Sequence, residues 1–446
     1  MRIAVIGCGY LGAVHAACMT KIGHDVTGLD TDQEKAERLA RGEAPFHEPG
    51  FPELLAQGVA SGRLTFTTDP ERIAGAELVF IGVGTPQLPG RLGADLSQVD
   101  AAVDTIIRYV VPRPGSAALV AGKSTVPVGT AQRVAEQLAG SGRDLLLAWN
   151  PEFLREGHAV TDTLRPDRIV YGLPRDRATG ERAKALLDEC YAPMLAAGTP
   201  LVVADYPTAE LVKVAANAFL ATKISFINAM AELCDATGGD VTRLAEAIGH
   251  DDRIGPKFLQ AGIGFGGGCL PKDLRAFMAR AGELGVDQAL TFLREVDAIN
   301  QRRRDHAVTL TERAVGGRLA GRKVTVLGIT FKPDTDDLRD SPALDITSRL
   351  WARGAEVRVV DPAAGPELRR RQPEMQVCDT VEEAVAGADA VLLLTPWQEF
   401  LSLDPVRLRE IVASPAIIDG RNALNPKLWQ DSGWRYYGMG REVPAW

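Results

Sequence analysis

The sequence predicts an α/β protein: two domains, each built on a doubly wound parallel sheet, joined by a central all-helical region with a long connecting helix. Short apolar segments alternate with amphipathic segments through the first 200 residues. Between 201 and 315 the pattern is nearly all helical, and from Gly316 the alternation returns. The predicted domains are therefore 1–200, 201–315 and 316–446.

Seven segments of the first domain predict strands because they are apolar without polar alternation, as in a parallel sheet covered on both faces. They are 3–6, 25–29, 78–83, 118–121, 145–149, 168–171 and 201–203. Amphipathic segments between them, including 32–41, 97–110 and 131–138, predict covering helices. Right-handed crossovers then give a Rossmann-like domain.

The central region starts with one long helical pattern, 208–237, which Gly238 and Gly239 end. A short helix over 240–248, a helix opened by Pro271 and a long segment over 286–315 follow. In the last domain, four further strands predict a second Rossmann-like sheet without a dinucleotide fingerprint. They are 324–328, 356–360, 390–394 and 416–418.

Charge and composition argue against several classes of protein. A formal net charge of −8 and the lack of a basic stripe predict no nucleic-acid partner, and Arg302-Arg303-Arg304 is interpreted as a solvated helix face. No apolar run approaches the roughly 18 residues of a membrane span, so no membrane partner is expected. The six cysteines have no metal-ligand spacing, which predicts no metal and favours a reducing, cytoplasmic location. All except Cys269 are expected to be small core residues.

A dinucleotide fingerprint follows the first predicted strand. Gly7-Cys8-Gly9-Tyr10-Leu11-Gly12 has the G-x-G-x-x-G pattern between a strand and a helix. Gly7 permits the turn, Gly9 admits a pyrophosphate and Gly12 allows close helix packing. Asp30, at the end of the second strand, would accept hydrogen bonds from the ribose diol, which favours NAD over NADP. The alternatives are FAD and a glycine turn that serves packing only.

Polar residues also follow other strands of the first domain. Thr85 and Thr125 stand where ligands bind in open α/β sheets, and ordinary turn chemistry is the alternative for each. Glu152 and Glu156 follow the fifth strand and are candidate acid–base or sugar-binding groups, or else a pair at a helix start.

The segment from Ile263 to Asp273 carries the strongest chemical signal. Four glycines within five residues indicate close approach of the backbone to a ligand. Pro271 suits the first turn of a helix, so Cys269 is expected at its N-terminus, where the helix dipole and Lys272 favour the thiolate. The sequence therefore predicts a nucleophile; a small apolar residue at a helix cap is the alternative.

The long helix carries a polar stripe. Glu210, Lys213 and Asn217 are spaced so that they share one face, and Asn228 continues that face. The rest of the helix is apolar, so buried lysine and asparagine would need partners. We interpret the stripe as the wall of a site rather than a solvated face.

Taken together, these residues resemble the UDP-glucose/GDP-mannose dehydrogenase family. The motifs are GCGYLG, STVPVGT, NPEFLREG, AELVKVAANAF, GFGGGCLPKD, FKPDTDDLRDSPA and DGR, in the family's order from residue 3 to residue 421. The resemblance implies oxidation of a nucleotide sugar, UDP-glucose, by two NAD through a cysteine thiohemiacetal and thioester. It also implies a homodimer or higher homo-oligomer formed through the central helices.

The resemblance implies site residues by position. Cys269 is the nucleophile, Lys213 and Asn217 stabilise oxyanionic intermediates, Asp273 and Thr125 position or activate water, and Glu152 assists acid–base steps. The implied cofactor contacts are Gly7, Gly9, Tyr10, Leu11, Gly12, Asp30, Lys35, Thr85, Thr125, Glu156, Lys272 and Arg339. The implied substrate contacts are Glu152, Phe153, Leu154, Lys213, Asn217, Arg253, Phe258, Leu259, Gln260, Ala261, Gly262, Gly266, Phe331, Lys332 and Arg421. Arg253 resembles an arginine that reaches a neighbouring subunit.

Two positions depart from the UDP-glucose pattern. Gly268 stands where the family often has serine, and Leu270 stands where UDP-glucose enzymes often have phenylalanine. CLPKD is similar to GDP-mannose dehydrogenases, whereas NPEFLREG is more similar to the UDP-glucose branch. A sister enzyme for GDP-mannose, TDP-glucose or a UDP-N-acetylhexosamine is the alternative. Two other functions are disfavoured. A β-hydroxyacid dehydrogenase would need no cysteine nucleophile, so Cys269 argues against it. A non-catalytic sensor would be expected to have lost Cys269, Lys213 or Asp273, and all three are present.

Overall fold

A computed structural model describes residues 1–441 of the chain. The chain divides into two compact units. Unit 1 comprises Met1–Ala216 and Arg275–Gly285, and unit 2 comprises Asn217–Leu274 with the described residues from Val286 onward.

Unit 1 is built on one eight-stranded sheet with the strand order β3-β2-β1-β4-β5-β6-β7-β8. Its strands are β1 (Arg2–Ile6), β2 (Asp25–Leu29), β3 (Leu64–Thr67), β4 (Leu78–Ile81), β5 (Ala118–Gly122), β6 (Leu145–Trp149), β7 (Ile169–Leu173) and β8 (Leu201–Asp205). The central strands β4, β5 and β6 are buried along their whole length, as the apolar runs predict.

Strand β3 has no counterpart among the predicted strands, because Leu64–Thr67 alternates apolar and polar residues over only four positions. The parallel pattern has one exception, since β6 pairs antiparallel with β7 through Trp149 and Gly172. The doubly wound parallel-sheet class is otherwise confirmed in this unit.

Helices connect and cover the strands of unit 1. They are α1 (Tyr10–Lys21), α2 (Gln33–Ala40), α3 (Phe51–Ala60), α4 (Ser97–Tyr109), α5 (Thr130–Gly140), α6 (Ala159–Leu164), α7 (Arg177–Cys190) and α8 (Ala192–Ala196). A 3₁₀ turn spans Pro70–Ile73. Helix α1 is buried over nine consecutive residues, so it lies in the core rather than on the surface.

The long connecting helix is α9 (Tyr206–Thr237). It begins in unit 1 and continues into unit 2. By length and composition it is apolar enough to cross a membrane, a test that the core helix of a soluble protein also passes. Its predicted bounds, 208–237, differ from the observed bounds by two residues because Pro207 fits the first turn of the helix.

The helices that follow α9 are α10 (Val241–Gly249), α11 (Leu270–Glu283) and α12 (Phe292–Ala314). The predicted helix over 286–315 is interrupted at its start, where Asp287–Leu290 forms a 3₁₀ turn. The interpretation of Arg302-Arg303-Arg304 as a solvated face is wrong for two of the three residues. Arg303 is 0% exposed and donates to the Gly262 carbonyl, and Arg304 is 5% exposed and donates to Asp345.

Unit 2 contains a six-stranded parallel sheet with the order β11-β10-β9-β12-β13-β14. Its strands are β9 (Lys323–Leu327), β10 (Glu356–Val360), β11 (Gln376–Val377), β12 (Ala390–Leu393), β13 (Ala416–Asp419) and β14 (Arg435–Gly438). The covering helices are α13 (Pro342–Ala352), α14 (Gly365–Arg371), α15 (Val381–Val385), α16 (Gln398–Leu401), α17 (Pro405–Arg409) and α18 (Pro426–Asp431). The predicted second Rossmann-like sheet is confirmed, with β11 and β14 added at its edges.

The turn after the first strand of this sheet resembles the turn after β1. Gly328 has a φ of 84° and Gly7 a φ of 87°. Asp361 accepts a hydrogen bond from the Ile329 N–H at 2.8 Å, as Asp30 does from the Cys8 N–H. The residue two positions after the glycine differs: Gly9 in unit 1 corresponds to the fully buried Thr330.

Candidate active site

The turn between β1 and α1 has the shape of a dinucleotide site. A Cβ atom on Gly7 would lie 2.7 Å from a Val83 methyl carbon, and a Cβ on Gly12 would lie 1.9 Å from the Gly7 carbonyl oxygen. Both positions therefore require glycine for packing. A Cβ on Gly9 would meet nothing within 4 Å, so the space above that residue is open to a ligand.

Asp30 lies at the end of β2 and is only 8% exposed. Its Oδ2 accepts the Cys8 N–H at 2.8 Å, which joins the acid to the glycine turn. Lys35 Nζ lies 3.2 Å from Asp30 Oδ1. The open glycine and the anchored acid fit the adenosine half of NAD, with the acid placed for a ribose diol.

The structure brings the two candidate threonines together. The Thr85 hydroxyl donates to the Thr125 carbonyl at 2.7 Å, so the segments that follow β4 and β5 are tied at the sheet's carboxyl edge. Thr85 is buried and Thr125 half-buried. Ligands bind at this edge in open α/β sheets.

Glu152 and Lys213 form a largely buried ion pair. Lys213 Nζ lies 2.9 Å from Glu152 Oε1, and the two side chains are 7% and 12% exposed. Glu152 Oε2 accepts the Leu154 N–H at 2.6 Å, which fixes the carboxylate within its own loop. Phe153 packs beneath the Arg168 guanidinium at 3.8 Å from its ring centre. This arrangement pairs a proton acceptor with a cation that can stabilise an oxyanion.

Lys123 is a buried cation that our sequence reasoning missed. It follows β5, is 7% exposed, and lies 5.4 Å from the Phe80 ring and 5.7 Å from the Tyr191 ring. Burial lowers the pKa of Lys123 to about 8, partly offset by attraction to Glu152. The sequence pattern that could have predicted a role for Lys123 is a single lysine at the carboxyl end of an apolar strand, a position at which ligands bind in open α/β sheets.

Glu210 has a different role from the one that the stripe on α9 predicted. Its carboxylate accepts the Gly129 N–H at 2.8 Å and the Ala131 N–H at 2.7 Å, so it caps the start of α5. Burial raises the pKa of Glu210 above its usual range, while these backbone hydrogen bonds act in the opposite direction. Glu210 therefore stabilises the start of α5, one of the helices that cover the sheet, rather than lining a site.

In unit 2, Cys269 is the residue immediately before α11. Its carbonyl accepts the Asp273 N–H at 3.0 Å, which is the first bond of that helix. Cys269 is exposed, whereas the other five cysteines are buried. The predicted contrast between Cys269 and the core cysteines is confirmed. A thiol at a helix N-terminus is favoured as thiolate.

The glycines before Cys269 are required by their neighbours. A Cβ on Gly266 would lie 2.3 Å from the Asp340 carbonyl oxygen, and one on Gly267 would lie 2.8 Å from the Phe331 ring. A Cβ on Gly268 would lie 2.3 Å from the Arg339 guanidinium carbon. Glycine at 268 thus leaves room for the Arg339 guanidinium.

Asp273 is the centre of a polar cluster in unit 2. It is 3% exposed, and Asn217 Nδ2 donates to its Oδ2 at 2.7 Å. Lys272 Nζ lies 2.6 Å from Oδ1. The cluster holds a carboxylate in the first turn of α11, one turn after Cys269, where it can accept a proton from water.

The 258–262 loop begins with an unusual backbone conformation at Phe258 and is anchored by two hydrogen bonds at Gly262. Phe258 has a φ of 64°, a strained value for an aromatic residue. The Gly262 N–H donates to Asn228 Oδ1 at 2.9 Å, and its carbonyl accepts from Arg303 Nε at 3.2 Å. Asn228 is fully buried and so supports this loop. Leu259 and Ala261 are buried, whereas Gln260 is exposed.

Arg421 joins three loop segments of unit 2. Its guanidinium donates to the carbonyls of Leu394 at 2.8 Å, Gly264 at 2.9 Å and Phe331 at 3.0 Å. Lys332 follows Phe331 and is half-buried. An arginine fixed in this way is preorganised to face a diphosphate.

The remaining candidate residues are placed as follows. Arg253 is exposed and pairs with Asp251 at 2.7 Å, and Arg339 is exposed and pairs with Asp337 at 2.7 Å. Tyr10, Leu11, Leu154 and Glu156 are half-buried around the turns of unit 1. Among residues 1–441, no group of three or more His, Cys, Asp or Glu side chains is placed to hold a metal ion.

Comparison with known proteins gives matches over the whole chain. Residues 1–195 match the NAD-binding domain of the UDP-glucose/GDP-mannose dehydrogenase family, 207–302 its central domain and 325–426 its UDP-binding domain. A UDP-glucose 6-dehydrogenase of Rhizobium meliloti is 41% identical to this chain. The match covers 99% of this chain and 100% of the relative.

Several solved structures are similar over 99% of this chain. The UDP-glucose dehydrogenase of the hyperthermophilic archaeon Pyrobaculum islandicum is 37% identical, with a TM-score of 0.89 over 98% of its own chain. The UDP-D-ManNAc dehydrogenase of Pyrococcus horikoshii is 29% identical, with a TM-score of 0.84 over 99% of its own chain.

Proposed function

Because the chain belongs to the UDP-glucose/GDP-mannose dehydrogenase family, we propose that it is an NAD-dependent enzyme that oxidises UDP-glucose to UDP-glucuronate. The observation that carries this proposal is the exposed Cys269 at the start of α11, directly after a glycine loop. A dehydrogenase that stops at a carbonyl needs no nucleophile, whereas a four-electron oxidation needs one to hold the aldehyde.

The first oxidation converts the primary alcohol to an aldehyde. NAD, held by the Gly7–Gly12 turn and Asp30, would supply the hydride acceptor for this oxidation and for the second one. Glu152, fixed by Leu154 and paired with Lys213, accepts the hydroxyl proton, directly or through one water. The Lys213 ammonium stabilises the negative charge that develops on the substrate oxygen.

Cys269 then retains the aldehyde. Its thiolate adds to the carbonyl carbon, and the carbonyl oxygen takes up a proton to complete a thiohemiacetal. The Asn217 amide donates to the oxygen that carries negative charge. Loss of the second hydride and of the hydroxyl proton leaves a thioester on Cys269.

Hydrolysis ends the cycle. Asp273, which Asn217 and Lys272 hold in place, accepts a proton from water, and Thr125 helps to position that water. Water attacks the thioester carbon, the Cys269 thiolate leaves and the carboxylate forms. The sum is one sugar nucleotide, two NAD and one water converted to the uronate, two NADH and three protons.

We further propose that the sugar nucleotide binds to unit 2 through the 258–262 loop and Arg421. The loop is fixed by Asn228 and Arg303, and Arg421 by three carbonyls, so both are ordered before a ligand arrives. Phe331 and Lys332 belong to a segment that Arg421 holds, because Arg421 donates to the Phe331 carbonyl.

The enzyme is proposed to act as a homodimer or higher homo-oligomer in the cytoplasm. Phe219, Phe226 and Leu233 are spaced by seven residues along α9 and are 66%, 50% and 57% exposed. Such a stripe on a helix is typical of packing against a second helix, here that of a second copy. The five buried cysteines form no disulfide, which suits a reducing compartment.

The experiment is to count NADH formed per sugar nucleotide consumed, with UDP-glucose and excess NAD. We expect two per sugar for the wild type and no UDP-glucuronate from Cys269→Ser, with NAD binding retained. One NADH per sugar, or unchanged steady turnover of Cys269→Ser, would contradict the thioester. Two NADH only with another nucleotide sugar would keep the chemistry and change the substrate.

A further inference from the structure

Glu48 is a buried carboxylate that the proposed chemistry does not use. It lies between α2 and α3 and is 1% exposed. A carboxyl group at this depth needs hydrogen-bond partners to replace water. Three donors surround it: the Tyr10 hydroxyl and the Gly157 N–H at 2.6 Å donate to Oε2, and the Ala159 N–H at 2.7 Å donates to Oε1.

The three donors belong to two functional segments that are far apart in sequence. Tyr10 is the first residue of α1 and follows Gly9 of the dinucleotide turn. Gly157 ends the loop that carries Glu152 and Phe153, and its N–H also lies 3.0 Å from the Tyr10 hydroxyl oxygen. One carboxylate therefore joins the cofactor turn to the loop that carries the proposed proton acceptor.

Local packing fixes the orientation of this junction. Phe46 packs on the Tyr10 ring at 4.8 Å and stacks on Phe51 at 5.1 Å, so the segment before α3 covers the tyrosine. Gly157 has a φ of 78°, a conformation that glycine adopts without strain. The hydrogen bonds that the N–H groups of residues 157 and 159 donate to Glu48 thus fix the position of the C-terminal end of the 152–157 loop.

We propose that Glu48 is a positioning residue for the oxidation: it fixes the spacing between the dinucleotide turn and the Glu152 loop. Glu48 acts through Tyr10, Gly157 and Ala159, the three residues that donate to it. The inference rests on the proposed function, because it gives the 152–157 loop an acid–base role. A displacement of about 1 Å between reacting groups can reduce a rate by about 100-fold, so a junction of this kind affects turnover.

The test compares Glu48→Gln, Tyr10→Phe and the double variant. The glutamine side chain presents an amide NH₂ to a backbone N–H, so at least one of the three hydrogen bonds is lost. We expect kcat to fall about 10- to 100-fold in Glu48→Gln, with a folded protein and a smaller fall in Tyr10→Phe. The double variant is expected to be no slower than Glu48→Gln, because both changes break the same junction.

Glu53→Gln is the matched control, since Glu53 is an exposed glutamate on α3. It is expected to leave kcat and KM unchanged. Hydrogen exchange supplies a measurement that does not depend on turnover. In Glu48→Gln, peptides covering 152–159 should exchange faster, whereas peptides of β5 and β6 should not change.

The outcomes separate this inference from the proposed function. Wild-type kcat in Glu48→Gln, additive losses in the double variant, or unchanged exchange over 152–159 would each overturn the positioning role and leave the proposed function intact. A wild-type enzyme that forms no NADH with any nucleotide sugar would overturn the proposed function, and the exchange measurement would still decide whether Glu48 anchors the loop.

Discussion

Replacing Lys123 by methionine tests whether a buried charge controls the pH dependence of stability. The two side chains have similar length, so Lys123→Met removes the ammonium and preserves most of the packing. The groups that act on this ammonium are Glu152 and Cys190, which favour the charged form, and Lys213, which disfavours it. Burial, assisted by Lys213, outweighs the other two groups and lowers the pKa of Lys123 from 10.5 to about 8.

The size of the effect follows from that difference. One pKa unit corresponds to about 1.4 kcal/mol, so the charged form of Lys123 costs the folded state roughly 3 kcal/mol relative to the unfolded state. Between pH 8 and 10.5 the unfolded chain keeps a proton that the folded protein has lost. The contribution of Lys123 to the free energy of unfolding therefore rises with pH, by about 2 kcal/mol between pH 7.5 and pH 10.

The assay is urea unfolding followed by circular dichroism at several pH values. The free energy of unfolding of the wild type minus that of Lys123→Met is expected to rise by about 2 kcal/mol from pH 7.5 to pH 10. Lys21→Met removes an exposed lysine from α1 and should show no such trend. A difference for Lys123→Met that stays constant, or falls as the pH rises, would refute the reasoning.

Two further predictions concern the helices. Glu210→Gln should lower the free energy of unfolding by about 1–3 kcal/mol at pH 7, because the amide cannot accept both the Gly129 and Ala131 N–H groups without placing its NH₂ against one of them. An unfolding curve that matches the wild type would mean that this cap adds little. Phe226→Arg should reduce the mass measured by light scattering to that of a monomer, since it places a charge in the exposed stripe of α9. Trp351→Arg, at another exposed aromatic residue of unit 2, should leave the mass unchanged, and a dimer in both variants would contradict an interface on α9.

Periodicity predicted most of the framework because the central strands are apolar throughout. Strands β2, β6 and β10 have the predicted bounds. Strand β3 escaped prediction because four alternating residues are a weak signal, and the antiparallel pairing of β7 depends on tertiary contacts that no local pattern contains.

The candidate site was predictable where composition is unusual. Four glycines before Cys269 indicated close backbone contacts, and the structure shows those contacts at Gly266 and Gly267. Spacing on a helix was less informative: it grouped Glu210 with Lys213, yet Glu210 turns to cap α5. Glu48 gave no signal, since its donors come from residues more than 30 positions away in both directions.

Each of the two sheets has a similar turn after its first strand, at Gly7 and at Gly328, and this similarity bears on how nucleotide specificity can be redesigned. Unit 2 keeps the glycine and the acid that shape the turn, at Gly328 and Asp361, but it has Thr330 at the position that corresponds to Gly9. Shape and ligand selection are therefore encoded by different residues of one short segment. An engineer who wished to convert the second sheet into a dinucleotide carrier would need to change Thr330 and to shorten the 331–341 loop before α13, and could leave the strand, the turn and the acid as they are.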